Sequence, residues 1–128
     1  MSLGVNVCMF SGRPDPWWEL SESESDKIMQ ELQRERPKAE KLSARNFLGY
    51  RGVEVFDRQD PCRFDRAVVY DGVIEYCKGD ETSLFIDEGS SLEEYLLNSA
   101  PSPAEFSEEL KHMALQDVQK NVHKRNNE

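Results

Sequence analysis

The chain has 128 residues, enough for one domain whose core needs no metal or disulfide to hold it. Its 38% hydrophobic and 32% charged residues, with six Phe, four Tyr and two Trp, exclude a disordered chain, and a net charge of −9 disfavours nucleic acid and anionic membrane as partners. No apolar run approaches the roughly 20 residues of a membrane span, the N-terminus lacks the pattern of a signal peptide, and three cysteines without a C-x-x-C pair argue against a disulfide framework. The expected location is intracellular, in the cytoplasm.

Val5 to Phe10 alternates, with Val5, Val7 and Met9 on one side, and predicts a first strand ended by Ser11-Gly12. The following stretch to Leu20 holds Pro14 and Pro16, which keep Arg13 and Asp15 extended and make a stiff arch. Ser21 with Glu24 forms a capping box, and Glu22, Glu24 and Asp26 suit the positive end of a helix dipole. The first helix is therefore predicted from about Glu22 to Arg36, with Ile28, Met29 and Leu32 inward and Pro37 as its stop. Gln33 to Arg45 carries five basic and two acidic residues and reads as a solvated helix-and-loop face, with a further helical turn expected within Lys38 to Arg45.

Strand character returns over Phe47 to Phe56, where Gly49 and Gly52 bracket Tyr50-Arg51 and mark a bulge or a close backbone approach against the arch. Asp57 to Arg63 is a loop. Arg66 to Tyr70, Asp71-Gly72 and Val73 to Cys77 predict a hairpin on a type I′ turn, which sets Tyr70 opposite Val73 and Val69 opposite Ile74. Its core face holds Ala67, Val69, Ile74 and Tyr76, and its other face, with Val68, Tyr70 and Val73 beside Arg66 and Glu75, is expected to be partly wet. Ser83 to Ile86 is a short further strand. Ser91 with Glu94 forms a second capping box for a helix to about Ser99, and Ser102-Pro103-Ala104-Glu105 predicts the start of a last helix. Phe106, Leu110, Met113, Val118 and Val122 are its expected inner stripe. The fold class is α+β, an antiparallel sheet of four to five strands packed with three helices, in a single domain over 1–128 with a frayed C-terminus from about residue 124.

Few residues carry chemistry. His112 and His123 share a helix but stand about 16 Å apart at 1.5 Å per residue, too far to share one ion, so no metal site is expected. Asp80, Glu81, Asp87 and Glu88 do not match a calcium-loop spacing and read as solvated loop charge. Cys62 is the candidate reactive thiol, since Arg58, Arg63 and Arg66 stand near enough in sequence to stabilise a thiolate. Cys8 and Cys77 read as small strand hydrophobes. No G-x-S-x-G elbow, phosphate-cradling loop or dinucleotide fingerprint is present, and no cofactor is expected. Ser21, Ser23 and Ser25 alternate with acids and are candidate phosphate acceptors at the start of the first helix.

Arg13, Trp17, Trp18, Tyr50 and Arg51 form the candidate contact patch. Neighbouring side chains on extended backbone point to opposite sides, so Trp17 and Trp18 cannot share one core face. Arginine offers forked donors, and tryptophan and tyrosine offer rigid area, a mixture enriched at binding hot spots. In the opposing reading the arginines bond loop carbonyls or pair with Asp15 and Glu19, and the tryptophans seal the end of the core.

Ser11-Gly12-Arg13-Pro14-Asp15-Pro16 with Trp18-Glu19-Leu20, then Leu48-Gly49-Tyr50-Arg51-Gly52-Val53, then Phe85-Ile86-Asp87 with Leu92-Glu93 and Leu96-Leu97, resembles a group of small uncharacterised proteins carrying S-G-R-P-N-P-x-W and L-G-Y-R-G-F patterns. Asp15 stands here for asparagine and Val53 for phenylalanine. The resemblance covers most of the first hundred residues and implies one domain and no activity. The leading expectation is a non-catalytic intracellular interaction module whose arginine and tryptophan arch contacts a peptide or another protein. The rivals are a small anion-binding protein or enzyme using Arg13 and Arg51, and a purely structural domain.

Overall fold

A computed structural model of the protein describes residues 3–10, 14–42, 49–57 and 66–127. Six strands, Leu3–Val7 (β1), Trp17–Glu19 (β2), Val53–Asp57 (β3), Arg66–Tyr70 (β4), Val73–Lys78 (β5) and Glu81–Ile86 (β6), form one antiparallel sheet in the order β2-β1-β3-β4-β5-β6. Three helices, Glu22–Gln33 (α1), Ser91–Leu97 (α2) and Glu108–Asn126 (α3), complete the α+β fold. The register places Val5 beside Trp18 and Val55, Val55 beside Ala67, and Val69 beside Ile74, so these residues share the face that meets the core. From the helices, Ile28, Leu32, Leu92, Leu96, Leu97, Ala114 and Val118 join the same cluster.

Among the described residues the sheet has six strands where four to five were expected, because the proline arch itself contributes β2. Three residues are too few to show an alternating pattern, and proline tolerates only the edge of a sheet, which is where β2 lies. Pro16 has no N–H to give, but its carbonyl accepts the N–H of Val7 at 2.9 Å. Asp15 Oδ1 accepts the N–H groups of Met9 (3.0 Å) and Phe10 (2.7 Å) and so closes the arch onto the end of β1.

The β4–β5 hairpin has the predicted register throughout. Asp71 (φ 48°) and Gly72 (φ 78°) make the two left-handed positions of its turn. A Cβ on Gly72 would come within 2.9 Å of the Arg125 guanidinium, the movable end of a long side chain, so it is the left-handed backbone of the turn that favours glycine there. On the face expected to be partly wet, Val68 and Tyr70 are buried, Val73 and Glu75 half-buried and Arg66 exposed.

Helix α1 has the expected capping box: Ser21 Oγ accepts the N–H of Glu24 (3.1 Å), and Glu24 Oε1 accepts the N–H of Ser21 (3.2 Å). It ends at Gln33, short of the predicted Arg36, because Arg36 is used otherwise. Its side chain is 3% exposed and donates to the Glu31 carbonyl (3.2 Å) and carboxylate (2.9 Å). The chain beyond it runs extended along β6, where Ile86 N–H meets Pro37 O (2.9 Å) and Ala39 N–H meets Leu84 O (3.0 Å). Lys38 and Ala39 are therefore not helical as expected, and residues 43–45 of that stretch lie outside the described residues.

Strand β3 starts later than predicted, at Val53, because Gly49 (φ 80°) and Gly52 (φ 110°) interrupt the extended backbone. A Cβ on Gly52 would meet Tyr70 Cβ at 2.8 Å and Val69 O at 2.9 Å, so this is a close approach to β4. The same segment meets the start of the arch, with Cys8 N–H on Gly52 O (2.9 Å) and Arg51 N–H on Cys8 O (2.7 Å).

Both later helices begin differently from the sequence patterns. Ser91 and Glu94 do not form the cap of α2; Asp87 accepts the N–H groups of Leu92 (2.9 Å) and Glu93 (3.0 Å) across a 3-10 turn at Glu88–Ser90. Gly89 (φ 64°) and Ser90 (φ 56°) let the chain wrap round that carboxylate. Helix α3 starts at Glu108, capped by Ser107, and Ser102 to Phe106 is a turn that drops Phe106 into the core. Its inner face holds Ala114 and Val118, with Leu110 and Val122 half-buried, while Met113, expected inside, is 50% exposed. At the far end, where fraying was expected, α3 is helical to Asn126 and Arg125 holds the Asp71 carboxylate and Ser90 Oγ (2.7 Å).

The cap assignment has a direct test in urea unfolding. Asp87→Ala leaves two buried N–H groups without an acceptor and should lower the unfolding free energy by about 2 kcal/mol. Ser91→Ala should stay within about 0.5 kcal/mol of the native chain.

Candidate functional site

The two tryptophans take opposite sides of β2, as adjacent strand residues must. Trp18 is 2% exposed, its Nε1–H donates to Ser99 Oγ (3.0 Å), and its ring stacks on Phe106 at 5.4 Å and 24°. Ser99 Oγ in turn donates to the Leu96 carbonyl (2.7 Å), which fixes its orientation. Trp17 is 48% exposed and lies on the other face of the sheet, level with Asn6 of β1.

That second face has a feature the sequence pattern passed over. Glu19 and Phe56 both pair with Gly4, and Glu54 pairs with Asn6, so all three share the face of Trp17. A Cβ on Gly4 would stand 2.5 Å from the Phe56 ring, so the ring lies across the glycine toward β2. Gly4, just outside the predicted strand, was the legible sign of such a close approach. The outcome is an aromatic surface of Trp17 and half-buried Phe56, bordered by Glu19 and Glu54, with Arg66 Nη1 3.4 Å from Glu54.

The other predicted contact residues fall elsewhere. Tyr50 is 4% exposed, packs edge-on against Tyr70 (5.9 Å, 64°) and donates its hydroxyl hydrogen to the Glu93 carboxylate. Arg51 is half-buried and gives Nη1 to Gly49 O (3.3 Å) and Nη2 to Phe10 O (3.1 Å). Arg13 and Cys62 lie outside the described residues. Among the described members of the patch, Trp17 faces outward, Arg51 is half-buried, and Trp18 and Tyr50 lie in the core.

A buried polar cluster surrounds Tyr50. Glu93 is 0% exposed, with one carboxylate oxygen on the Tyr50 hydroxyl and the other accepting the Asp71 N–H at 3.2 Å. Burial pushes Glu93 up to about 7; the Asp87 and Asp71 charges push the same way, and its two hydrogen bonds resist. Burial also raises the Tyr50 phenol, reinforced by the Glu93 charge, and raises Tyr70. Glu93 is legible in retrospect because Leu92, Glu93, Leu96 and Leu97 are all buried on one side of α2.

Packing accounts for Cys8 and Ser25 among the remaining candidates. Burial raises the Cys8 thiol, with Glu54 and Asp15 adding to the effect, which keeps it protonated and unreactive. Ser25 is fully buried and accepts the Leu3 N–H at 3.1 Å, while Ser21 and Ser23 are exposed. Among the described residues no group of three or more His, Cys, Asp or Glu could hold a metal ion, and no helix is long and apolar enough to cross a membrane. A cleft of about 190 Å³ lies where Lys27 and Glu31 of α1 face Ser91, Leu92 and Tyr95, and a groove of about 560 Å³ runs along the His112, Leu115, Gln119 and His123 side of α3. Neither is lined by a predicted contact residue.

No protein-family model, curated protein or solved structure matches the chain.

The unequal burial of the two indoles predicts unequal costs. Trp18→Ala should lose about 3–5 kcal/mol of stability, and Trp17→Ala about 1 kcal/mol or less, read from urea unfolding of the two variants. Comparable losses from both would contradict the assignment of Trp18 as the anchor.

Proposed function

We propose that this protein is a non-catalytic intracellular interaction module that contacts an extended peptide or another protein through Trp17. The observation that carries the reading is an indole held half-exposed on a strand whose next residue is fixed in the core. Such a ring loses little freedom on binding, because Pro16 and the β1 pairing have already ordered its backbone. Tryptophan is also the residue type most enriched where binding energy concentrates. Phe56 extends the apolar area, and the bordering Glu19 and Glu54, on a chain of net charge −9, favour a partner segment that is neutral or basic over nucleic acid or an anionic membrane.

A further observation supports this reading over the anion-binding rival. The Arg51 guanidinium is directed at two backbone carbonyls, which suits a brace for the arch better than an anion receptor.

A photo-reactive amino acid placed at position 17 should cross-link a partner in lysate of the source cell, and the same group at exposed Gln30 of α1 should not. The native chain should retain that partner on affinity capture, and Trp17→Ala should lose most of it while its melting temperature falls by no more than about 5 °C. Equal recovery of every bound protein by the native chain and Trp17→Ala would remove the surface from consideration and leave a purely structural domain.

A further inference from the structure

We propose that Glu93 is a proton-operated latch, which in its protonated state joins α2 to the β4–β5 turn and to the segment leading into β3, and which loosens when the proton leaves. Glu93 is on α2, Asp71 is in the turn and Tyr50 precedes β3, so one carboxyl group ties its own helix to two other parts of the chain. The side chain is fully buried.

The groups that face this carboxyl are mostly acidic. Asp71 and Tyr70 approach from β4 and its turn, Tyr50 from the segment before β3, and Asp87 from the loop before α2. Helix α3 contributes Asp117, whose charge acts on Tyr70, and Arg125, the one cation at the cluster among the described residues. Arg125 bonds the Asp71 carboxylate and Ser90 Oγ, and no ion pair joins it or any other described cation to Glu93. Asp87 is also buried, but each of its oxygens takes a backbone N–H group, one from Leu92 and one from Glu93. Glu93, fully buried and joined to no described cation, is therefore a group at which an added proton relieves desolvation and repulsion.

The direction of the pH effect follows from linkage. The folded-state value near 7 stands above the ordinary glutamate value of 4.5, so between them the folded chain keeps a proton that the unfolded chain has released. The contribution of Glu93 to stability is complete below about 4.5 and is lost as pH rises through about 7. Across that window the unfolding constant should rise on the order of a hundredfold through this group alone. Loosening should show first at the Asp71 amide, whose acceptor is Glu93, and then at the last turn of α3, which Arg125 ties to the same turn.

The test is a carbon-13 NMR titration of the Glu93 carboxyl in the full chain, together with amide exchange at Asp71 corrected for its intrinsic pH dependence. The expected midpoint lies near 7, with Asp71 protection falling across it and staying flat in Glu93→Gln. Tyr50→Phe removes a hydrogen bond that favours the charged form and should move the midpoint upward, which gives a second reading should Glu93→Gln fail to fold. A midpoint in the ordinary glutamate range overturns the proposal. So does Asp71 protection that follows the same pH course in Glu93→Gln, or a Tyr50→Phe midpoint that is unmoved or lower.

Discussion

The placement of Trp18 is the constraint on which the rest of the structure depends. Its indole reaches from the edge strand into the helical layer, with the ring on Phe106 and the N–H on Ser99, so three distant segments are fixed by one side chain. The β2 backbone is only three residues long, too little to hold a sheet edge by ladder bonds alone. Burying an aromatic ring of this size contributes far more than those bonds, and it also sets the direction of the neighbour. Once Trp18 points inward, pleat alternation leaves Trp17 no choice but the outer face. The exposed ring is thus a consequence of the same geometry that closes the core.

Two aspartates do comparable work at the ends of elements. Asp15 and Asp87 each accept two consecutive backbone N–H groups that no strand or helix would otherwise satisfy. At Asp15 both bonds fall on Oδ1, and Oδ2 faces the Asn6 amide at 3.5 Å. An asparagine at this position would supply the same oxygen to both N–H groups. At Asp87 the bonds are divided between both oxygens, one to each N–H, and an amide could accept only one of them.

What was legible in the sequence was local. The β4–β5 register follows from Asp71-Gly72 and its flanks, and the α1 start from Ser21 and Glu24, because all the interacting groups lie within a few residues. The misread helix starts share a different cause. At α2 the cap comes from Asp87 through a left-handed turn, and at α3 the Ser102 pattern yields to the need to bury Phe106 against Trp18. Met113, expected on the inner stripe, is 50% exposed, and the neighbouring Ala114 is the buried residue there. The candidate patch was half legible. Alternation separated the tryptophans correctly but could not say which faced outward, and nothing local shows that Tyr50 would meet a glutamate 43 residues away.

That glutamate also shows how the fold distributes its few internal cations. Arg36 is sunk against the Glu31 carboxylate and the carbonyls of Glu31 and Ile86, and Arg125 is held by Asp71 and Ser90. Both guanidiniums brace places where the chain changes direction, so their geometry is set by backbone and turn groups. Glu93 is buried between those fixed points with a phenol and one amide as its donors. A hydroxyl and an amide can steady a carboxylate but cannot cancel its charge, whereas a proton can. An apolar residue at this position would avoid the penalty but would leave the Asp71 amide and the Tyr50 hydroxyl without an acceptor. The acid is therefore the side chain that joins α2 to both of these groups, and its charge state, rather than its shape, governs how firmly it does so.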